Sequence, residues 1–333
     1  MKILRIFIKI LFLPILIVSC TPKDRYITIT GYAQGGTYAV KLNLNGKDGM
    51  IQTRPEAIRD SIDAILMEID NTLSGYNKNS LLSRFNEGEA VEWNGMMSDI
   101  FAHAADIQAE TDGAVDVAAG PLFDLWGFGF KSGDFPSDDV VRKVQETSNL
   151  EYFRSHGEGK LNFNAIAQGY SCDLVAEYLY SLGVKDMMVD IGEIFCDGRN
   201  PSGKAWSLGI DKPVDGNNEL GAQIQGIFRA PEGPHGIVTS GNYRKFYIKD
   251  GKKYSHTIDP RTGYPVTHNL LSATIVAEDA LAADAYATYC MVIGLEESKK
   301  FLESRTDLEG CLIYDEDGQF KTWCSEGFVL EEL

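Results

Sequence analysis

The 333-residue sequence predicts an α+β protein, with mixed sheets packed against helices in a single large body. Three observations carry that prediction. Strand-type alternation is clear over 26–44, and 311–323 reads as a closing hairpin across Glu316-Asp317-Gly318. Between them lie several stretches with helical spacing of apolar residues. The two kinds alternate irregularly, without the regular βαβα rhythm of a doubly wound sheet, and no internal repeat or low-complexity linker divides them.

In chain order, residues 26–44 place Tyr26, Thr28 and Thr30, then Tyr38, Val40, Leu42 and Leu44, at every second position. They read as two strands joined around Ala33-Gln34-Gly35-Gly36-Thr37. The glycine pair serves equally a plain hairpin turn or a close approach of backbone to a ligand. Residues 55–73 set Ile58, Ile62, Ile65, Leu66 and Ile69 at helical spacing behind Pro55, which suits a first helical turn. Ser74-Gly75-Tyr76-Asn77 breaks that helix, and 79–86 and 97–111 read as two more. Residues 116–129 are dense in Gly and aromatics and read as a folded-back loop with aromatic walls or as a plain core corner. A surface loop at 131–136 precedes a helix over 137–147 opened by Ser137.

The stretch 161–164 reads as a short strand. It leads through Ala165-Ile166-Ala167-Gln168-Gly169-Tyr170 into a helix from about Tyr170 to Leu182. Such a glycine-containing turn presents N–H groups to a phosphate in some proteins and is ordinary strand–helix punctuation in many others. Further strands fall at 186–191, 207–210, 226–228 and 236–243, the last ending in hydroxyls and a glycine. A hairpin joins 246–248 to 254–256 across Asp250-Gly251. Residues 271–277 are a strand, 279–293 and 296–304 are helices, and 311–314 with 320–323 close the chain as a hairpin.

The formal net charge is −17. The first nineteen residues hold Lys2, Arg5 and Lys9 and no acid, which leaves 28 basic against 48 acidic residues beyond them. That balance argues against a nucleic-acid surface. A phosphorylated ligand on such a body needs a local device: a metal ion, helix N-termini or converging backbone N–H groups. The apolar run 11–18, broken by Pro14, is too short to span a bilayer. It reads as a targeting segment over 1–19. Ile17-Val18-Ser19-Cys20 resembles a bacterial lipobox, which implies cleavage before Cys20, lipid on its thiol and a tether over 20–26; an ordinary secretory signal peptide is the alternative. The body then runs over 27–333. Of the other five cysteines, Cys172, Cys196, Cys290, Cys311 and Cys324, none forms a CxxC pair or a zinc spacing. A Cys311–Cys324 disulfide is left open by the spacing.

Two stretches concentrate chemistry. Residues 254–266, Y-S-H-T-I-D-P-R-T-G-Y-P-V, gather His256, Asp259 and Arg261 around a Pro-Arg-Thr-Gly turn. They read either as a polar hairpin tip or as a rigid corner where His256 and Asp259 handle a substrate, His being the side chain suited to proton transfer near neutral pH. In the apolar helix 279–293, Asp284 and Thr288 are four apart and share a face. A carboxylate there is costly unless paired or coordinated. It reads either as a cap for a neighbouring loop or, with Thr288, as an oxygen-ligand site for Mg²⁺.

Taken together these motifs resemble the FAD:protein FMN transferases of the ApbE family, from about Gly31 to Leu295. The most specific pieces are residues 256–265 (H-T-I-D-P-R-T-G-Y-P), Thr239-Ser240-Gly241-Asn242-Tyr243, and Ala283-Asp284-Ala285 with Thr288. Ser74-Gly75-Tyr76, Ser83-Arg84-Phe85-Asn86, Gly120-Pro121-Leu122 with residues 125–129, and residues 165–170 follow in the family's order. The resemblance implies an ApbE-type, T-fold-like flavin-binding body in the cell envelope, held to the membrane by lipid on Cys20. It implies that FAD is split at its pyrophosphate, that FMN passes to a Thr or Ser hydroxyl of an acceptor flavoprotein as a phosphoester, and that AMP leaves. It implies Mg²⁺ held by Asp284, Thr288 and the Ala165 carbonyl, with His256 as the base. It further implies FAD contacts from Gln34, Gly35, Tyr76, Asp190, Thr239, Ser240 and His256. Three positions depart from the family pattern: Gln34 stands for Met, Gln168 for Lys, and Ile191-Gly192-Glu193 lacks one glycine. An FAD pyrophosphatase with the same metal site, or a non-catalytic flavin-binding lipoprotein, are the competing readings.

Overall fold

The computed structural model describes residues 25–128, 136–214, 223–242, 246–249 and 252–332. The targeting segment, the lipobox with Cys20, most of the predicted 131–136 loop and the hairpin tip at Asp250-Gly251 lie outside the described residues.

The chain opens with strands β1 (Tyr26–Ala33), β2 (Gly36–Asn43), β3 (Asn45–Gly46) and β4 (Gly49–Met50). Six helices follow: α1 (Pro55–Leu73), α2 (Leu81–Asn86), α3 (Gly95–Glu110), α4 (Gly120–Leu125), α5 (Asp138–Gln145) and α6 (Leu150–His156). Helix α7 (Ala167–Ser181) leads into β5 (Met187–Asp190), β6 (Ile194–Asp197), β7 (Ser207–Asp211), β8 (Ile224–Arg229) and β9 (His235–Gly241). Then come β10 (Phe246–Lys249), β11 (Lys252–Ser255), β12 (Ile258–Asp259), β13 (Tyr264–Pro265) and β14 (Leu270–Ala277). Helices α8 (Ala280–Ile293) and α9 (Leu295–Glu303) precede β15 (Glu309–Glu316), β16 (Gln319–Cys324) and β17 (Leu330–Glu332).

One eight-stranded sheet, in the order β1-β2-β5-β6-β9-β14-β15-β16, organises the body. Each neighbouring pair in it is antiparallel. Its two faces bury different partners. Val40, Leu42, Met187, Val189 and Phe195 on one face pack against the buried stripes of α1 and α7. Further along the same face, Val238, Ala273 and Ile275 pack against α8. The opposite face carries Cys196, Ile237, Val276, Cys311 and Ile313 onto a second sheet, β17-β8-β7, through Trp206, Leu208, Ile210 and Phe228. Helices, main sheet and small sheet thus form three layers, each hiding an apolar face that water would otherwise meet.

Local chemistry sets the element ends. Ser80 and Asn94 accept from Ser83 N–H and Met97 N–H to open α2 and α3, and Asp279 accepts from Ala282 N–H to open α8. Residues 161–164 differ from the predicted strand. The Asn86 side-chain amide takes both the N–H and the C=O of Leu161, at 2.8 Å each, and Asn162 N–H goes to Val117. A side chain meets the needs a sheet ladder would otherwise meet. The aromatic loop at 116–129 contains a 3₁₀ turn and helix α4, with Asp116 accepting from Ala118 N–H and Leu150 N–H. Helix α6 and strand β6 had no counterpart in the sequence reading.

Candidate active site

Helices α7 and α8 meet at their N-terminal ends, and the contact is unusually close. A Cβ on Gly169 would lie 2.2 Å from the Ala280 carbonyl oxygen, so only glycine permits the approach. Two carboxylates cross the junction in opposite directions. Asp284 of α8 accepts from Gly169 N–H of α7 at 3.1 Å. Asp173 of α7 accepts from Ala280 and Leu281 N–H of α8 at 2.9 and 2.8 Å. Each helix therefore has orphan first-turn donors satisfied by the other. This is why α7 starts at Ala167, earlier than its sequence suggests. The sequence reading missed Asp173, which there looks like any polar residue in a helix.

Asp284 is 5 % exposed. Burial pushes its carboxyl well above the usual range, the Gly169 N–H opposes that, and the Asp173 charge adds to it. Burial likewise raises Asp173 to about 7 against its two backbone hydrogen bonds. No cation among the described residues offsets the Asp284 charge. No group of three or more His, Cys, Asp or Glu able to hold a metal occurs among the described residues, so a metal here would need mixed oxygen ligands. The Thr288 hydroxyl lies one turn beyond Asp284 on α8, and the Ala165 carbonyl lies just before α7. The donor set of one carboxylate, one hydroxyl and one carbonyl suits a hard divalent ion that keeps several water or phosphate ligands.

The His256 segment follows β11 directly. Asn242 Oδ1 accepts from the hydroxyls on both sides of it, Ser255 Oγ at 2.5 Å and Thr257 Oγ1 at 2.6 Å. Asn242 and Ser255 are both buried. Phe128 meets the His256 ring edge-on, with centroids 6.4 Å apart. The Asp-Pro-Arg-Thr-Gly turn is a closed unit of its own. Asp259 takes both Arg261 Nε and Nη2, at 2.9 and 3.0 Å, and its carbonyl takes Thr262 and Gly263 N–H. Asp259 therefore shapes the turn, and the expectation that it handles substrate with His256 is not what the geometry supports. Trp126 Nε1 donates to the Gly263 carbonyl at 2.8 Å, and Gly263 (φ 81°) would place a Cβ 2.9 Å from Val141. The turn is thereby seated on α4 and α5, while β12 packs against α8.

Gln34 and Gly35 form a two-residue hairpin turn between paired Ala33 and Gly36, both with positive φ (51° and 82°), as a type I′ turn requires. Gln34 holds this left-handed backbone while its Nε2 donates to Ser171 of α7 at 2.5 Å. Tyr76 is 65 % exposed in the α1–α2 turn, and Asn164, next to Ala165, donates to its hydroxyl at 3.5 Å. A cleft of about 470 Å³ runs beside it, lined by Gly75, Lys78, Ser83, Asn86, Gly120 and Lys160 among others. Asp190 ends β5, accepts from Gly192 N–H, and is raised by burial. The turn after it reaches the first turn of α7, where Gln168 Nε2 donates to the Ile191 carbonyl at 3.3 Å. Thr239 and Ser240 part company. Ser240 opposes Ala273 on the α8 face, whereas Thr239 opposes Thr274 on the other face and its hydroxyl contacts that of Thr274 at 2.8 Å. The structure so brings Gln34, Tyr76, Ala165 and Asp284 around the start of α7, and turns Thr239 away.

A model of the ApbE family matches residues 34–312. The FAD:protein FMN transferase of Escherichia coli strain K12 is 34 % identical over 298 residues, 84 % of this chain and 83 % of that protein. That of Haemophilus influenzae is 31 % identical over 329 residues, 93 % and 92 % of the two chains. Among solved structures, flavin transferase ApbE from Vibrio cholerae superposes with a TM-score of 0.76 at 30 % identity, over 91 % of this chain and 98 % of that one. The apo flavinyl transferase ApbE of Pseudomonas stutzeri gives 0.78 at 30 % identity, over 91 % and 95 %. By sequence and by fold, the chain belongs to the ApbE family.

Proposed function

We propose that this chain is an FAD:protein FMN transferase that moves FMN from FAD to a Thr or Ser hydroxyl of an acceptor flavoprotein. The observation that carries the reading is the buried Asp284 carboxylate at the α7–α8 junction, which no basic side chain among the described residues offsets, in a chain of this family. Asp284, Thr288 and the Ala165 carbonyl would hold Mg²⁺. Bound there, the ion supplies Lewis-acid stabilisation of charge on the FAD pyrophosphate. Gly169 N–H and the Asp173 clasp keep the Asp284 carboxylate in place. His256, fixed by Asn242 through both neighbours, takes the proton from the acceptor hydroxyl. The hydroxyl oxygen bonds to the FMN phosphorus, the bond to the AMP oxygen breaks, and AMP departs. Tyr76 and the Gln34–Gly35 turn border the flavin, and Ser240 is the hydroxyl of its pair on the α8 face. The cleft sets Lys78 and Lys160 against Glu87 and Asp124, with Lys160 paired to Glu87 at 3.9 Å, so its side chains bring no net positive charge.

The test mixes purified protein, FAD, Mg²⁺ and an acceptor flavoprotein, and reads products by chromatography and intact mass. The reading expects the acceptor to gain one FMN for each AMP released. Asp284→Ala should abolish turnover, and unchanged FAD consumption would remove Asp284 from the metal role. His256→Ala should slow transfer by about 10²–10⁴-fold with FAD binding retained. AMP and free FMN with the acceptor unmodified indicate a pyrophosphatase; FAD bound but unchanged indicates a binding protein.

We also propose that the mature chain is a lipoprotein of the bacterial cell envelope, anchored through Cys20. The lipobox-like residues 17–20 support this, and among the described residues no helix is long and apolar enough to cross a membrane. Cys20→Ala should move the protein from the membrane to the soluble fraction; retention in the membrane would refute the anchor.

A further inference from the structure

Cys311 and Cys324 stand directly opposite each other in the β15–β16 ladder. Ser325 N–H donates to the Gly310 carbonyl at 2.9 Å, which makes 310/325 a hydrogen-bonded pair. Pairs alternate along an antiparallel ladder, so 311/324 is a non-hydrogen-bonded pair, the kind whose Cα atoms stand about 4.5 Å apart with side chains closest. A disulfide needs Cα atoms roughly 4.4–6.8 Å apart. Both side chains belong to the cluster between the main and small sheets. Cys324 beside it, and then burial, push the Cys311 thiol well up. Cys311 is 1 % exposed while Cys324 is only half-buried, and β16 is the edge strand of the main sheet.

We propose that Cys311 and Cys324 are a redox site that closes to a cross-strand disulfide, with Cys324 as the entering thiol. The other cysteines of the body, Cys172, Cys196 and Cys290, are all buried. Cys172 Sγ donates to the Glu193 carbonyl at 3.1 Å. With oxidised glutathione as oxidant, the Cys324 thiolate attacks one sulfur and expels a glutathione thiolate. Cys311 then gives up its proton and attacks Cys324 Sγ, expelling the second. Two protein thiols become one disulfide and one glutathione disulfide becomes two thiols. The bond ties the edge strand to its neighbour just before the chain crosses to β17 in the small sheet. In an oxidising compartment such a bond persists.

The experiment incubates the reduced full-length protein with oxidised glutathione, alkylates it, and maps unreduced peptides by mass spectrometry. A Cys311–Cys324 crosslinked peptide, lost on treatment with dithiothreitol and accompanied by a raised melting temperature, is expected. Cys311→Ser should trap glutathione on Cys324, while Cys324→Ser should leave Cys311 unmodified because it is buried. Separate alkylation of both cysteines after oxidation overturns the proposal, as does a crosslink from either to Cys196. Equal glutathionylation in the two variants overturns the assignment of Cys324 as the entering thiol.

Discussion

Gly169→Ala tests the α7–α8 junction at its narrowest point. The added Cβ would sit 2.2 Å from the Ala280 oxygen, 2.6 Å from its carbonyl carbon and 2.8 Å from Leu281 N. Ordinary heavy-atom contact is about 3.5 Å, so the helices must part by about 1 Å. All three neighbours are backbone and cannot rotate away. A 1 Å separation takes the 3.1 Å bond from Gly169 N–H to Asp284 beyond hydrogen-bond range, and stretches the two bonds that Asp173 accepts. Overpacking costs about 1–3 kcal/mol. With Asp284 neutral in the metal-free protein, the lost hydrogen bond contributes about 0.5–1.5 kcal/mol. The sum is about 1.5–4.5 kcal/mol. At roughly 2–4 °C per kcal/mol for a large domain, the melting temperature should drop by about 3–18 °C. Calorimetry or circular dichroism on the metal-free protein reads this, with Mn²⁺ titration as a second readout of the proposed metal site, since Asp284 loses its fixed position. Gly95→Ala is the control, because nothing lies within 4 Å of its added Cβ and its φ is not positive. A Gly169→Ala protein that melts with Gly95→Ala and binds Mn²⁺ like the wild type would refute the close-approach argument.

Asn242→Ala removes the common acceptor of the hydroxyls beside His256, so turnover should fall with FAD affinity little changed; a matched loss of both in a titration would make Asn242 a general support of the fold. Trp126→Phe leaves the Gly263 carbonyl without its donor, at a cost of about 1–3 kcal/mol for an unsatisfied buried group, read as a lowered melting temperature. The metal-free protein should also lose stability as pH rises. Asp173 ionises near 7 in the folded protein and near 3.9 unfolded, so between those values the unfolded chain binds fewer protons. The stability gained from keeping it neutral is complete below about pH 4 and gone once pH passes 7. Asp284 acts in the same direction. Melting temperatures from pH 5 to 8 in a chelator should therefore decline, less steeply in Asp173→Asn; a flat or rising profile counts against it.

Much of this architecture was legible because it rests on local periodicity. The isoleucines at 58, 62, 65 and 69 defined α1 to its ends, Pro55 to Leu73. Alternation found β1 and β2, and the Glu316-Asp317-Gly318 turn signal found β15 and β16. Helix α6 has seven residues, too few to show a period, and its start depends on Asn149 accepting from Tyr152 N–H. The site divides the same way. His256, Asp284 and Thr288 stood out as residue types in short motifs. Asn242 did not, because its role exists only once residues 13 and 15 positions later fold back onto it. Asp173 and Gly169 were opaque for the same reason: their partners, Ala280, Leu281 and Asp284, are more than 100 residues away. Gly169 read either as a phosphate-binding turn or as plain strand–helix punctuation, and what demands glycine there is another helix. Thr239 looked equivalent to Ser240, and strand alternation, which separates them by the thickness of the sheet, depends on knowing which face α8 covers.

The departure at Gln168 bears on how an acidic body can hold a pyrophosphate. Its amide does mechanical work, tying the first turn of α7 to the Ile191 carbonyl, and the turn there has no room for more: a Cβ on Gly192 would lie 2.6 Å from Gln168 Nε2. A lysine at this position would bring the same donor and a full positive charge; glutamine brings only the donor. The neighbouring Asp284 and Asp173 are both acids that burial already pushes toward their neutral forms, so without a cation they offer a phosphate group no attraction. Positive character is left to the first-turn N–H groups of α7 and α8, and three of those at α8 and one at α7 already face carboxylates. Helix termini contribute roughly half a charge each at best. A divalent ion adds two whole charges at the point where the deficit lies. In the proposed Mg²⁺ site, phosphate and metal would therefore bind as a single unit, and the ion would keep the buried Asp284 charged.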